Sequence, residues 1–140
     1  MPNPRAFPTV SREITREMVA LYGKVNGDRN LIHYDDAVAQ AAGFPRAIAH
    51  GAMTAAVISE ACREFFGPAW IDGGRLNVKF IGPLLVGDTV SAHGEVTARE
   101  PARSAGSGQA SDGERVTVNV WCESAGEKIL VGEAIGVLRE

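Results

Sequence analysis

Asp28 and His33 stand five positions apart in Gly27-Asp28-Arg29-Asn30-Leu31-Ile32-His33, and Ala49-His50-Gly51 follows at the mouth of an apolar run. A carboxylate and an imidazole brought onto one water molecule can take one of its protons and hand a proton to a substrate carbon. A glycine that opens a helix adds a third element, because its free backbone N–H can bind an oxygen on which negative charge develops. On spacing alone a turn or a cap is the commoner use of such a pair, a reading that only the surrounding motifs reverse, and His50 at a helix start has a loop to orient. Asp28, His33, Asp35, Asp36 and His50 are also close in sequence. Their spacing matches no common zinc or calcium pattern, and the two later aspartates have capping work available, so no metal is expected.

These residues need elements to hold them. Thr15 is placed to cap a helix carrying Met18, Leu21, Tyr22 and Val25 on one face, which Asn26-Gly27 ends. Asp35 or Asp36 starts a short helix through Ala37–Ala42, closed by Gly43 and Phe44-Pro45. From Gly51 to Phe66 the chain is apolar on nearly every side at first, with Glu60, Arg63 and Glu64 only in its second half. Such a helix must be wrapped by other structure at its beginning, and Gly67-Pro68 stops it.

Downstream the pattern changes to period two. Leu76, Val78 and Phe80 oppose Arg75, Asn77 and Lys79, while Val90, Ala92, Gly94 and Val96 oppose Ser91, His93, Glu95 and Thr97, which puts His93 toward solvent. Val116, Val118, Val120 and Cys122 repeat the alternation. The stretch Lys128–Leu138 is apolar on both faces except at Glu133, the mark of a central strand or one buried against a partner. Pro101–Gly113, rich in Gly, Ser and Ala, is expected to be a mobile hairpin loop. The expected architecture is α+β: one domain over residues 1–140, an antiparallel sheet curled around a central helix at about residues 51–66. A sheet of this size leaves an edge or face to cover, and a homodimer is the economical way to cover it.

Composition bounds the remaining classes. A chain of 140 residues with 45% hydrophobic and 22% charged residues can bury a sizeable core. The net charge of −3 offers no global basic field, which argues against nucleic acid as a partner. No apolar run approaches the roughly 20 residues of a membrane span, and Met1-Pro2-Asn3-Pro4-Arg5 lacks the apolar core of a signal peptide, so a cytoplasmic location without membrane contact is expected. Cys62 and Cys122 sit inside apolar patterns and read as buried free thiols. Trp70 and Trp121 are candidates to line an apolar channel, although packing is the first use of a large aromatic.

Three separated segments, Gly27–His33, Ala49–Met53 and Gly87-Asp88-Thr89-Val90, resemble in order the signature of the MaoC-like, or hydratase 2, family: Gly-Asp-x-Asn-Pro-(Leu/Ile)-His, Ala-His-Gly-Met and Gly-Asp-Thr-Val. The resemblance covers nearly the whole chain. It implies the hot-dog fold and a lyase of fatty-acid metabolism. The implied reaction is that of an (R)-specific enoyl-CoA hydratase or (3R)-hydroxyacyl thioester dehydratase, which adds water to, or removes it from, a coenzyme A or acyl-carrier-protein thioester without a cofactor. It further implies catalytic roles for Asp28 and His33 and an oxyanion-binding amide at Gly51. Asn30 and His50 then orient the site, and a serine with that role in some members falls on Ser59. The sequence departs from the family at Leu31, where a proline is usual, at Ala52, where Met most often follows the glycine, and at Asn26, which replaces a frequent serine.

Two other classes are compatible with the chain. A hot-dog thioesterase would need a carboxylate such as Glu60 or Glu64 on the buried helix. A non-catalytic acyl-binding or partner subunit of a dehydratase heterodimer would not need the Asp28–His33 pair at all. Arg29, beside that pair, is either a solvated loop charge or a contact to phosphate or a neighbouring carboxylate. Arg46, Arg63, Arg75 and Lys79 are the cations available to an acidic carrier protein.

Overall fold

The computed structural model describes residues 5–103 and 110–139. A five-stranded antiparallel sheet runs in the order β1-β3-β4-β5-β2. Its strands are β1 (Val10–Glu13), β2 (Arg75–Phe80), β3 (Thr89–Arg103), β4 (Ala110–Ser124) and β5 (Glu127–Leu138). The two-sided apolar stretch near the C-terminus is therefore an interior strand, as its pattern requires. The helix α3 (Gly51–Phe66) crosses one face of this sheet. Val57, Ile58, Ala61, Cys62, Phe65 and Phe66 meet Val90, Ala92, Val116, Val118, Val120 and Cys122 in one core. The approach is close enough that a Cβ on Gly136 of β5 would lie 2.9 Å from the Phe66 ring, so a glycine is needed there.

Both cysteines are free and buried, and burial pushes each thiol up to about 12. Gly67 ends α3 at a φ of 78°. The chain then forms the short helix α4 (Ala69–Gly73), which, like β1, the sequence pattern did not announce.

Thr15 caps α1 (Arg16–Asn26) by accepting from the Met18 N–H at 3.2 Å, and Gly27, at φ 71°, closes it. The apolar face read from the sequence is largely turned outward. Val19 and Gly23 are buried, whereas Met18, Leu21 and Val25 are exposed, and Tyr22 is half-buried. Contact runs through Val19, Gly23 and Tyr22 because Tyr34 and His50 from the following segments fill the space beside Gly23 and Tyr22. Asp35 caps α2 (Asp36–Ala41) as expected.

Two other expectations change. The strands β3 and β4 occupy both ends of the glycine- and serine-rich stretch, with Pro101 opposite Glu114 and Arg103 opposite Ala110, so the hairpin is tighter than a loop over Pro101–Gly113; residues 104–109 lie outside the described residues. His93 is on the sheet face away from α3, but it is only partly open to solvent: it stacks on Trp121 at 5.6 Å and bonds Ser91 Oγ at 2.8 Å. Trp121 thus lies on the outer face, while Trp70 is buried against Phe66, and neither forms a shared channel. Among the described residues no helix is long and apolar enough to cross a membrane.

Candidate active site

Gly27 turns the chain out of α1, and Asp28 is the first residue beyond that turn. The Asn30 side chain accepts from Ile32 N–H at 3.2 Å and so caps a single 3-10 turn, Leu31–His33. Asn30 N–H in turn donates to Asp28 Oδ1 at 3.0 Å, which orients the carboxylate. The turn brings Asp28 Oδ2 to 3.7 Å from His33 Nε2. The far side of the His33 ring bonds the Ile48 carbonyl through Nδ1 at 2.8 Å. A carbonyl only accepts, so Nδ1 carries the hydrogen, and the neutral ring presents its Nε2 lone pair to the Asp28 side.

The segment before α3 is woven into place. Ile48 N–H donates to the Ile32 carbonyl, Ala49 N–H to Leu84 and Val86 N–H to Ala47, while Ile48 and Leu85 form a β-bridge. Arg46 bonds the Val86 carbonyl at 2.9 Å and Asp88 at 2.5 Å, which uses the aspartate of Gly87-Asp88-Thr89-Val90 to pin this loop. Asp36 accepts from Ala47 N–H at 2.9 Å; that bond, aided by Arg16 and Arg46, holds its carboxyl below the usual range despite opposing desolvation. His50 and Gly51 are thereby set at the start of α3, with His50 in the N-cap position.

His50 is 4% exposed, and its ring stacks on His33 with centroids 3.8 Å apart. His50 Nε2 lies 3.6 Å from Asp28 Oδ2 and 3.2 Å from the Tyr34 hydroxyl. Burial, with His33 beside it, holds the His50 imidazole below its ordinary value and outweighs the opposing pull of Asp28. Gly51, at the first helical position, has an N–H with no intrahelical acceptor. The Phe80 ring packs across it, 3.3 Å from where a Cβ would be.

The structure therefore brings Asp28, His33 and His50 together, with Asn30 behind the carboxylate and Gly51 next in chain to His50. Ser59 is placed differently: its hydroxyl accepts from the Trp70 indole N–H at 3.0 Å, so it holds α4 against α3. Tyr34 is the residue that sequence reasoning missed. Its hydroxyl donates to the Asp28 carbonyl at 2.6 Å and reaches His50 across the space left by Gly23, and burial, then Asp28, raises its pKa. A tyrosine next to a histidine carries no periodic signal, and only the distant glycine makes room for it.

A cleft of about 470 Å³ opens beside Asp28 and Tyr34, lined also by Ala20, Lys24, Arg29 and Leu31 among others. Arg29 is thus at the rim of a cavity, with Lys24 as a second cation. Asp28, His33 and His50 offer ligand atoms within 4.8 Å of one another. On the carboxylates proposed for a thioesterase, Glu60 is ion-paired with Arg12 of β1 and Glu64 is exposed.

Residues 4–123 match the family model described as a MaoC like domain. The chain is 29% identical over 127 residues to an (R)-specific enoyl-CoA hydratase of Rhodospirillum rubrum, covering 90% of this chain and 81% of that protein. It is 31% identical over 126 residues to 3-hydroxyacyl-thioester dehydratase Z of Mycobacterium tuberculosis, covering 87% and 80%. In fold it superposes on the (R)-hydratase from A. caviae involved in PHA biosynthesis with a TM-score of 0.75, at 24% identity and over 100% of both chains.

Proposed function

The chain belongs to the MaoC-like family, and from that premise we propose that it is an (R)-specific enoyl-CoA hydratase or (3R)-hydroxyacyl thioester dehydratase, a hydro-lyase acting reversibly on a trans-2-enoyl thioester. One observation carries the reading: Asp28 Oδ2 and His33 Nε2, both hydrogen-bond acceptors, stand 3.7 Å apart. A single water at ~2.8 Å from each can donate one hydrogen to each.

In hydration the water oxygen bonds to the β-carbon and the dyad takes a water proton. The double-bond electrons move toward the thioester oxygen, where the Gly51 N–H receives the developing charge; such a donor is typically worth about 3 kcal/mol in barrier. The dyad then returns a proton to the α-carbon from the same side, which gives syn addition. The steps belong to the pair rather than to either residue alone. Lys24 and Arg29 at the rim of the cleft suit the phosphates of coenzyme A or of a carrier-protein arm. No cofactor is required by this chemistry. A cytoplasmic homodimer is the assembly proposed, since β1 and β2 leave two open sheet edges.

The test is hydration of a short 2-enoyl-CoA, followed by loss of the enoyl chromophore. Asp28→Asn and His33→Gln are each expected to lower turnover by about 10²- to 10⁴-fold with circular dichroism unchanged. Near-normal hydration by both folded variants overturns the assignment. Activity of the pure chain alone separates this reading from that of an inactive heterodimer subunit.

A further inference from the structure

We propose that Tyr34 and His50 are a positioning pair for the dyad: the Tyr34 hydroxyl, anchored on the Asp28 carbonyl, holds His50 as the Nε2–H imidazole beside the Asp28 carboxylate. This rests on Asp28 and His33 being the acid–base pair.

A phenol has a single O–H, and the shorter of its two contacts, 2.6 Å to the Asp28 carbonyl against 3.2 Å to His50, is to an atom that can only accept. The Tyr34 oxygen therefore turns a lone pair toward His50 Nε2, which must carry the hydrogen. Asp28 Oδ2 lies 3.6 Å from the same nitrogen, beyond hydrogen-bond reach, so the Tyr34 contact is the one that selects the tautomer. The opposite nitrogen, His50 Nδ1, is buried and has no hydrogen-bond partner among the described residues. The other tautomer would strand an N–H there and set the Nε2 lone pair against that of the Tyr34 oxygen at 3.2 Å. An imidazolium would strand the same N–H while stacked on His33 at 3.8 Å. The neutral Nε2–H form avoids both.

Its effect on the site is specific. His50 gives the carboxylate side a fixed N–H dipole, so that with His33 held as Nδ1–H by Ile48, the one imidazole lone pair facing Asp28 is that of His33. Held in this way, His50 points an N–H rather than a lone pair into the space shared by the three ligand-type side chains, which opposes their use as a metal site. Gly23 is the structural requirement for the device. A Cβ on Gly23 would lie 1.7 Å from the Tyr34 oxygen.

Long-range ¹⁵N–¹H spectra of the histidines in the full-length protein at neutral pH read the tautomers directly. The expected result is Nε2–H for His50 and Nδ1–H for His33. A His50 protonated at Nδ1, alone or together with Nε2, overturns the proposal whatever the activity. Tyr34→Phe is expected to shift His50 toward a mixture of tautomers and to lower kcat by about five- to tenfold with KM within about twofold. An unchanged kcat and unchanged His50 signals in a folded Tyr34→Phe protein also overturn it. Gly23→Ala, which favours the helix, is expected to lower kcat in the same manner and to cost less in the Tyr34→Phe background, whereas strict additivity counts against the proposal. Failure of the reaction assignment is recognised separately, since it leaves the tautomers as described while Asp28→Asn and His33→Gln retain hydration.

Discussion

Leu31→Pro is a perturbation whose magnitude can be worked out in advance. Leu31 is the first residue of the 3-10 turn, directly after the cap residue Asn30, whose φ of −66° and ψ of 118° are what a following proline demands. At that position the N–H has no intrahelical acceptor, and among the described residues nothing else accepts from it. The turn's φ range includes the value to which a pyrrolidine ring is locked. A proline compatible with its site stabilises by about 0.4–1 kcal/mol through the unfolded chain. Against this, Leu31 is 54% exposed, so the side-chain carbon lost in the exchange costs about 0.4 kcal/mol, half of a fully buried methylene. The net is about 0–0.6 kcal/mol in favour of proline. At ~2.1 cal/mol/K per residue, a chain of this length has an unfolding entropy of about 0.3 kcal/mol/K, so Tm should stay level or rise by about 2 °C. An incompatible proline costs about 3 kcal/mol, which would lower Tm by about 10 °C. Calorimetry at fixed protein concentration separates the two outcomes, with hydration of a short enoyl-CoA as the companion assay and kcat within about twofold of the parent as the expected result. A drop in Tm of several degrees would refute the geometry assigned to the turn between Asp28 and His33.

The remaining expectations concern pH, charge and metal. Because the His50 imidazole titrates below 6.5 in the fold, the unfolded chain takes up that proton first as pH falls, and stability is lost below about pH 6.5. Chemical denaturation at pH 7 and pH 5 should show a steeper loss for the parent than for His50→Gln, and equal slopes would contradict the buried neutral ring. Lys24→Glu and Arg29→Glu are each expected to raise KM for a CoA ester about three- to fivefold at low salt, with the difference shrinking as salt is added. A KM indifferent to both substitutions would remove the cleft from the substrate path. Dialysis against a chelator should leave hydration unchanged, and a loss restored by one divalent cation would reverse the reading of Asp28, His33 and His50 as metal-free.

Much of this was legible in the chain because the signals are periodic or chemical. Alternation located the strands at Leu76, Val90 and Val116, and the two-sided apolar run of β5 is explained by an interior position, one of the two readings it allowed. Thr15, Asp35, Gly27 and Gly67 punctuate helices by mechanisms that need only neighbouring backbone. The four-residue β1 and the five-residue α4 are too short to show a period, and they exist through pairing with β3 and packing on α3. Met18, Leu21 and Val25 misled because a helical stripe reports that a face is apolar, not that this chain alone covers it. In the site, the meeting of Asp28 with His33 is local and readable. The arrival of His50, the role of Tyr34 and the diversion of Ser59 to Trp70 depend on contacts between segments, which no local pattern encodes.

The weave that positions His50 also carries information about time. Asp28 and His33 share one turn and can meet as soon as that turn forms, but Ile48 and Ala49 are held by Leu84 and Leu85, whose placement waits on the strand entry at Asp88 and its bond to Arg46. Pairings between such distant segments form more slowly than helices, because a long loop must close before any contact rewards it. A refolding chain should therefore regain its far-ultraviolet ellipticity before it regains turnover, and the interval between the two signals would clock the closing of the segment at 47–49 onto the segment at 84–86.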